Sequence, residues 1–126
     1  MIDPATCLFH GEHMWIHPEG PEGVLGITPY AQDKLGEVSL LDLPPVGTVV
    51  KQGEPFGTIE SAKVASDLIA PADGEILAMN AKLSEDPWLV NDEPFGNGWI
   101  VRIRIQDPGA LSSLMSHDEY SKSLES

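Results

Sequence analysis

Glycine and proline divide this chain into short segments, and that spacing limits the elements it can form. The 126 residues include 12 glycines and 11 prolines. Both residues favour turns, because glycine reaches conformations closed to other residues and proline lacks a backbone N–H. Short β-prone runs between frequent turns predict a mainly β fold. A chain of this length also predicts one domain, residues 1–126, with a single core.

The chain is strongly acidic, with 20 Asp and Glu against 7 Lys and Arg and a formal net charge of −13. Such a surface repels a polyanion, and no basic stripe is present to release counterions, so DNA and RNA are excluded as partners. The charge either steers the protein to partners with basic faces or keeps it in solution. Charge alone does not decide between these two roles.

Membrane, secretory and redox signals are absent from the sequence. No apolar run approaches the roughly 20 residues of a membrane-spanning helix, and the N-terminus lacks the basic and hydrophobic regions of a signal peptide. We therefore expect a cytoplasmic protein that does not contact membranes. Cys7 is the single cysteine, so an inert or buried thiol is expected and no intramolecular disulfide can form.

The first half of the chain predicts a hairpin followed by a short helix. Residues 14–17 and 24–27 are β-prone, and the Pro- and Gly-rich segment 18–23 predicts a turn between them. Thr28 and Pro29 then supply a capping hydroxyl and a proline at the first helical position, and Gly36 supplies a C-terminal stop. A helix over 29–35 and an extended segment over 37–43 follow from this pattern.

The C-terminal third predicts a helical turn, a strand and two helices. Residues 87–91 favour the helical turn and residues 99–105 the strand. Asp107-Pro108 begins the first helix by the same combination of cap and proline. The segment Ser116–Glu119 forms a capping box for the second. The helices are therefore expected at about 108–124.

Lys63 lies between two extended runs of the central segment 46–80, the core hairpin region, and is predicted at the tip of a β-hairpin. A swinging-arm carrier needs one exposed lysine on a rigid turn with small neighbours, because the amine is acylated and arginine cannot replace it. The tether replaces diffusion by a high effective concentration. Taken alone, however, Lys63 also fits an ordinary solvated hairpin lysine.

The sequence around Lys63 resembles the H-protein family of the glycine cleavage system, within the biotinyl/lipoyl carrier superfamily. The similarity extends over nearly the whole chain. It is carried by the segments Glu60–Asp67, Val46–Glu54, Ala70–Ile76, Val24–Gln32, Leu35–Val38, Leu89–Asn91 and Gly98–Trp99.

This resemblance implies a mainly β, biotinyl/lipoyl-carrier hybrid barrel-sandwich with short flanking and C-terminal helices. It also implies lipoate as the cofactor, held as a covalent amide on Lys63. Biotin carriers place methionines on both sides of the lysine, whereas Ala62 and Val64 stand there in this chain, so lipoate is preferred to biotin. The other residues that the resemblance assigns to the site are Glu60, Ser61, Ser66 and Asp67.

A second implied part of the site, a cleft for the arm, has candidates in Glu12, His13 and Met14. The family usually has His-Glu-Trp where this chain has His13-Met14-Trp15. A thioether cannot pair with a cationic amine as a carboxylate does, so Met14 predicts a different cargo. Glu12, two positions upstream, is an alternative carboxylate if no bulge intervenes, and Asp67 matches the family's carboxylate after the lysine.

Metal and catalytic centres are not expected. His10, His13 and His17 have helical spacing, but Gly11 and Pro18 disfavour a helix and no further ligands complete a metal site. No nucleophile–base–acid order or phosphate loop is present. We therefore expect a carrier rather than an enzyme.

The sequence is compatible with three functions. Met14 favours an H-protein-like lipoate-binding protein of a heterodisulfide-reductase-like sulfur-oxidation pathway. The alternative is a glycine cleavage H protein that carries the aminomethyl group, and the third is an unmodified scaffold. The implied partners are a lipoate ligase or lipoyl transferase, dihydrolipoamide dehydrogenase, and either a heterodisulfide-reductase-like complex or glycine decarboxylase and aminomethyltransferase.

Overall fold

The computed structural model describes residues 2–124 and places nine strands of this part in two sheets. The strands are β1 (Leu8–His10), β2 (Met14–Glu19), β3 (Glu22–Ile27), β4 (Val38–Asp42), β5 (Val49–Val50), β6 (Pro55–Ser61), β7 (Ala65–Ile69), β8 (Gly74–Met79) and β9 (Val101–Ile105). The six-stranded sheet has the order β1-β2-β3-β9-β8-β5, and the three-stranded sheet has the order β4-β6-β7. The mainly β prediction is confirmed.

Short helices flank the sheets. The α-helices are α1 (Pro29–Leu35), α2 (Leu89–Asp92) and α3 (His117–Leu124), and 3-10 helices span Pro4–Thr6, Ala81–Ser84 and Pro108–Ser113. Within residues 2–124, none of these helices has the length and apolar character to cross a bilayer.

The main core lies between the two sheets, because alternate side chains of each strand point inward. Met14, Ile16 and Leu25 of the larger sheet pack in one cluster with Ile59 and Leu68 of the smaller. This arrangement buries one face of each sheet.

A second apolar cluster covers the outer face of the six-stranded sheet, where Phe9, Trp15 and Tyr120 pack together. The indole Nε1 of Trp15 donates a hydrogen bond to the carbonyl of Ile27 at 2.9 Å. A Cβ on Gly26 would overlap the Trp15 ring, so glycine is required beneath this side chain. Burial on both faces explains why three consecutive residues, 14–16, are all buried.

The predicted N-terminal hairpin is present, but its turn is shorter than residues 18–23. β2 and β3 pair antiparallel, and Pro18 lies opposite Gly23 inside the ladder. The turn is reduced to Gly20 and Pro21, with a positive φ of 65° at Gly20. Proline is tolerated at this point because β1 does not extend far enough to pair with it.

The helix predicted over 29–35 is confirmed. The Thr28 side chain accepts a hydrogen bond from the N–H of Ala31, Pro29 occupies the first turn, and Gly36 ends the helix with a φ of 77°. The extended segment predicted over 37–43 corresponds to β4, which spans Val38–Asp42. This strand forms one edge of the smaller sheet.

The first of the two C-terminal helices differs from its prediction. Pro108–Ser113 is a 3-10 helix, and the Asp107 side chain does not cap it. Without that cap, the expected stabilisation of an α-helical first turn is missing. The capping box is present: the N–H of Ser116 donates to Glu119 at 3.0 Å and the N–H of Glu119 donates to the Ser116 hydroxyl at 3.2 Å.

Candidate functional site

Lys63 lies in the turn between β6 and β7. Glu60 pairs with Ala65 at the end of the ladder, and the N–H of Ser61 donates to the carbonyl of Val64 at 2.8 Å. Ala62 and Lys63 are therefore the two residues at the tip of a tight hairpin. The tip is not helical, and the Lys63 side chain is exposed.

The Ser61 hydroxyl stabilises this turn. It accepts hydrogen bonds from the N–H of Lys63 at 3.3 Å and from the N–H of Val64 at 3.2 Å. Both amides at the tip would otherwise face solvent without a protein partner. Many tight hairpin turns use glycine because they need a positive φ, but no residue of this turn has one. The turn is instead closed by the Ser61 hydroxyl, which takes the place of a backbone acceptor.

The stem of Lys63 lies against the end of α1. A Cβ placed on Gly36 would come within 2.8 Å of Cε and 3.4 Å of Nζ of Lys63. The lysine stem therefore packs on a glycine backbone, while its ammonium has no ion pair among residues 2–124. An amine in this setting is accessible to an acylating enzyme.

A groove of about 390 Å³ runs beside the hairpin, and we call it the hairpin groove. One side is formed by hairpin residues that follow Lys63, namely Val64, Ala65, Ser66 and Asp67. The other side is formed by residues of the β1–β2 loop and the start of β2, namely Glu12, His13 and Met14. Apolar side chains complete the lining, among them Ile27, Leu35, Ile59 and Leu68.

The structure thus brings two predicted groups of residues to one groove. Val64, Ser66 and Asp67 face the predicted cleft residues across it, whereas Glu60, Ser61 and Ala62 do not line it. Glu60 is half-buried, and its carbonyl accepts a hydrogen bond from Ser39. Ala62 is exposed at the tip beside Lys63, where its small side chain leaves the amine uncovered.

His13 is held in place by a hydrogen-bonded chain that reaches the last helix. Its Nδ1 lies 2.7 Å from the hydroxyl of Tyr120, which lies 2.8 Å from the hydroxyl of Thr28. The carbonyl of His13 accepts the N–H of Thr28 at 3.1 Å. Burial lowers the pKa of His13, against the opposing charge of Glu12, and burial also raises the pKa of Tyr120.

Met14 and Glu12 occupy different environments in the hairpin groove. Met14 is 2% exposed and belongs to the core between the sheets. Glu12 is exposed, and its N–H donates to Nδ1 of His10 at 3.0 Å. Glu12 lies in the β1–β2 loop rather than on the strand face of Met14, and it lines the groove together with Asp67.

The three N-terminal histidines do not share a helix face. His10 ends β1, His13 lies in the loop and His17 lies in β2. Within the part of the chain that the structure describes, no three His, Cys, Asp or Glu side chains are grouped so that they could hold a metal ion.

Two contributors to the site depend on contacts that the sequence pattern does not reveal, although Asn91 lies in the resembling segment Leu89–Asn91. Tyr120 and Asn91 act through contacts with residues more than 50 positions away, at separations of 107 and 55. Gly36 is predicted as a helix stop and lies in the resembling segment Leu35–Val38, but neither observation predicts its contact with Lys63. Lys34, which lines the groove, has no signal in the sequence pattern. Spacing along the chain does not report such long-range contacts.

The geometry fits a lipoyl group. An exposed amine at a rigid turn permits amide formation, and the adjacent apolar groove offers a surface for an acyl chain and its dithiolane ring. The small neighbours Ala62 and Val64 leave access to the amine. The attachment residue and the groove are therefore compatible with the cofactor implied by the sequence.

Comparisons with known proteins agree with this fold. A family model described as glycine cleavage H-protein matches residues 7–126. A glycine cleavage system H protein from Thermus thermophilus is 47% identical over 123 residues, which cover 98% of this chain and 96% of the relative. One from Symbiobacterium thermophilum is 44% identical over 117 residues, with 93% and 91% covered.

A solved structure is also similar. The crystal structure of a glycine cleavage system H protein from Mycobacterium marinum superposes with a TM-score of 0.89 at 33% identity, covering 98% of this chain and 100% of that chain. The barrel-sandwich of lipoyl-carrier type is thereby confirmed. The chain belongs to the glycine cleavage H-protein family, whose members carry lipoate covalently attached to a lysine.

Proposed function

We propose that this protein is the lipoyl carrier of a glycine cleavage system, with Lys63 as the attachment lysine and residues 1–126 as one carrier domain. The observation that carries the proposal is the exposed amine of Lys63, which has no ion pair among residues 2–124. It lies on a turn closed by Ser61, beside an apolar groove. The names of its relatives support the pathway.

The protein acts as a substrate of partner enzymes rather than as a catalyst. A lipoate ligase or lipoyl transferase acylates Lys63, and glycine decarboxylase, aminomethyltransferase and dihydrolipoamide dehydrogenase then act on the arm. When bound, the lipoyl group supplies a disulfide for thiol–disulfide exchange. The chain itself fixes the origin of the tether and offers the hairpin groove as a resting surface.

The preference for a sulfur-oxidation pathway rested on Met14, and the structure weakens that reason. Met14 lines the hairpin groove but is buried in the core, whereas Glu12 and Asp67 line it with exposed carboxylates. Either carboxylate can pair with a cationic amine through a charge-assisted hydrogen bond. Neither the fold nor any named relative favours a heterodisulfide-reductase-like partner, so glycine cleavage is the better-supported pathway.

Two experiments test the proposal. Intact-mass and peptide mass spectrometry after expression with lipoate and a ligase should find one lipoyl adduct, on Lys63. Absence of that adduct would support the unmodified scaffold instead. The lipoylated protein should then sustain the exchange of bicarbonate with the carboxyl group of glycine by glycine decarboxylase. A lipoylated protein that does not sustain this exchange would favour a role in another pathway.

A pair of variants tests the role of the groove carboxylate. Glu12→Gln keeps the shape of the side chain and removes its charge, so the rate of bicarbonate exchange should fall. Glu85→Gln is the matched control, because Glu85 is also exposed and does not line the hairpin groove. Equal rates for the two lipoylated variants would remove Glu12 from the proposed function.

A further inference from the structure

The Asn91 side chain joins α2 to the end of α1 and to the start of β4. Its Nδ2 donates to the carbonyl of Gly36 at 2.7 Å and to Oε1 of Gln32 at 3.0 Å. Its Oδ1 accepts the N–H of Val38 at 2.8 Å. Both amide protons and the carbonyl oxygen of this side chain are therefore engaged.

These bonds fix the residue on which Lys63 rests. Gly36 has a φ of 77° and a ψ of −157°, a backbone region that is open essentially to glycine alone. Asn91 binds the carbonyl that follows this unusual backbone angle, and it binds the N–H of Val38 two residues later. The backbone from 36 to 38 is thus held from one side by a single amide.

Helix α2 is too short to be stable without tertiary contacts. It spans only Leu89–Asp92, and the side chain of the preceding residue, Trp88, does not cap it. Leu89 and Val90 are buried and anchor it in the core. Since Asn91 follows directly, the helix places one polar side chain against the end of α1.

We propose that Asn91 is a positioning residue for acylation of Lys63. It acts through Gly36: by holding the carbonyl of Gly36, it keeps open the glycine surface on which the lysine stem packs, and so directs the ε-amine toward the acylating enzyme. This inference rests on the proposed function, because it takes Lys63 as the lysine that is lipoylated. Among residues 2–124, the Asn91 side chain bonds to Gly36, Gln32 and Val38 and not to the amine.

Asn91→Asp is the central test, because it preserves side-chain shape while it removes both donated hydrogen bonds. The remaining oxygen still accepts from Val38, but the Gly36 carbonyl loses its donor and faces a carboxylate. We expect kcat/KM of lipoate ligase for the unlipoylated protein to fall about tenfold, because misplacement of a reacting group by about 1 Å can cost up to about 100-fold. Acylation of Lys63 by acetic anhydride, which needs no docking, should be unchanged.

Asn80→Asp is the matched control. Asn80 also donates two hydrogen bonds, to the carbonyls of Asn97 and Trp99, and accepts one from Lys82. Asn80→Asp removes hydrogen bonds in a different part of the fold. With the folded fraction of each variant measured by circular dichroism, the control should be lipoylated at the wild-type rate.

A spectroscopic measurement makes the test independent of enzymes. The wild-type protein without lipoate should show a nuclear Overhauser effect between the Hα protons of Gly36 and the Hε protons of Lys63, and Asn91→Asp should lose it. Its absence in the folded wild-type protein would overturn the proposal even if the variants failed to fold. Gly36→Ala should also lose this contact, because its Cβ would occupy the space of the lysine stem.

The outcomes separate this proposal from the proposed function. If the wild-type protein acquires no adduct on Lys63, the function fails. If it is lipoylated at Lys63, and folded Asn91→Asp is lipoylated at the same rate or keeps the Gly36–Lys63 contact, only the positioning role of Asn91 is overturned.

Discussion

The hydroxyl oxygen of Tyr120 lies 2.7 Å from Nδ1 of His13, although 107 residues separate the two in sequence. The same hydroxyl lies 2.8 Å from that of Thr28, the residue that caps α1. One phenol therefore joins the last helix to the wall of the hairpin groove and to the start of the helix beneath Lys63. The C-terminal helix thereby stabilises the site although it does not line the groove.

Tyr120→Phe should lower the free energy of unfolding by about 1 kcal/mol, because it leaves His13 and Thr28 without the shared hydroxyl while ring packing is retained. Urea denaturation measures the change. Tyr30→Phe is the control, since the Tyr30 hydroxyl forms no hydrogen bond within residues 2–124. Equal effects of the two substitutions would show that the hydrogen bonds of Tyr120 add no stability.

His13 should make stability depend on pH in the mildly acidic range. Burial lowers its pKa from the ordinary 6.5 in the folded protein, so the unfolded chain binds the proton more readily. The free energy of unfolding should therefore fall as the pH drops below 6.5 and stop falling below the lowered folded-state pKa. Urea titrations of the wild type across this range measure the effect.

His13→Asn is the variant for comparison, because His13 has a φ of 69° and asparagine tolerates that region better than most residues. The variant should show a shallower dependence on pH over the same range. A dependence as steep as that of the wild type would assign the effect to another group.

Lys63→Arg should abolish lipoylation and leave the fold intact. Arginine keeps the charge and most of the stem but has no amine that a ligase can acylate. Because the side chain is exposed, the free energy of unfolding should change by no more than about 0.5 kcal/mol. Mass spectrometry detects the adduct, and Lys51→Arg and Lys82→Arg should still acquire it. An adduct on Lys63→Arg would identify a different attachment lysine.

Ser61→Ala should loosen the tip of the hairpin, because the N–H groups of Lys63 and Val64 lose their acceptor. We expect a loss of about 1 kcal/mol in the free energy of unfolding and faster hydrogen exchange at both amides. Ser66→Ala is the control, as the exposed Ser66 side chain has no hydrogen bond in the described part of the chain. Unchanged exchange in Ser61→Ala would mean that solvent satisfies these amides equally well.

Features determined by neighbouring residues were predictable from the sequence. Helix α1 follows from Thr28, Pro29 and Gly36, which act within one helix, and the last helix follows from the Ser116–Glu119 box. The hairpin around Lys63 likewise depends on adjacent residues. Local hydrogen bonds and backbone preferences are sufficient for such elements.

Features determined by distant contacts were not predictable. β1 has only three residues, and its pairing with β2 depends on the tertiary structure. The burial of Met14 depends on the sheet that packs over it, so its sequence position alone did not show that it points inward. The contacts of Asn91 with Gly36 and of Tyr120 with His13 each join separate elements.

Cys7 is a buried free cysteine, and its burial limits its reactivity toward a dithiolane. Burial, with the nearby charge of Asp3, raises the pKa of this thiol to about 12. At neutral pH only about one molecule in 10⁵ then carries the nucleophilic thiolate. We therefore expect the only sulfhydryl of the chain to react slowly with disulfides, which disfavours thiol–disulfide exchange between neighbouring copies of the protein.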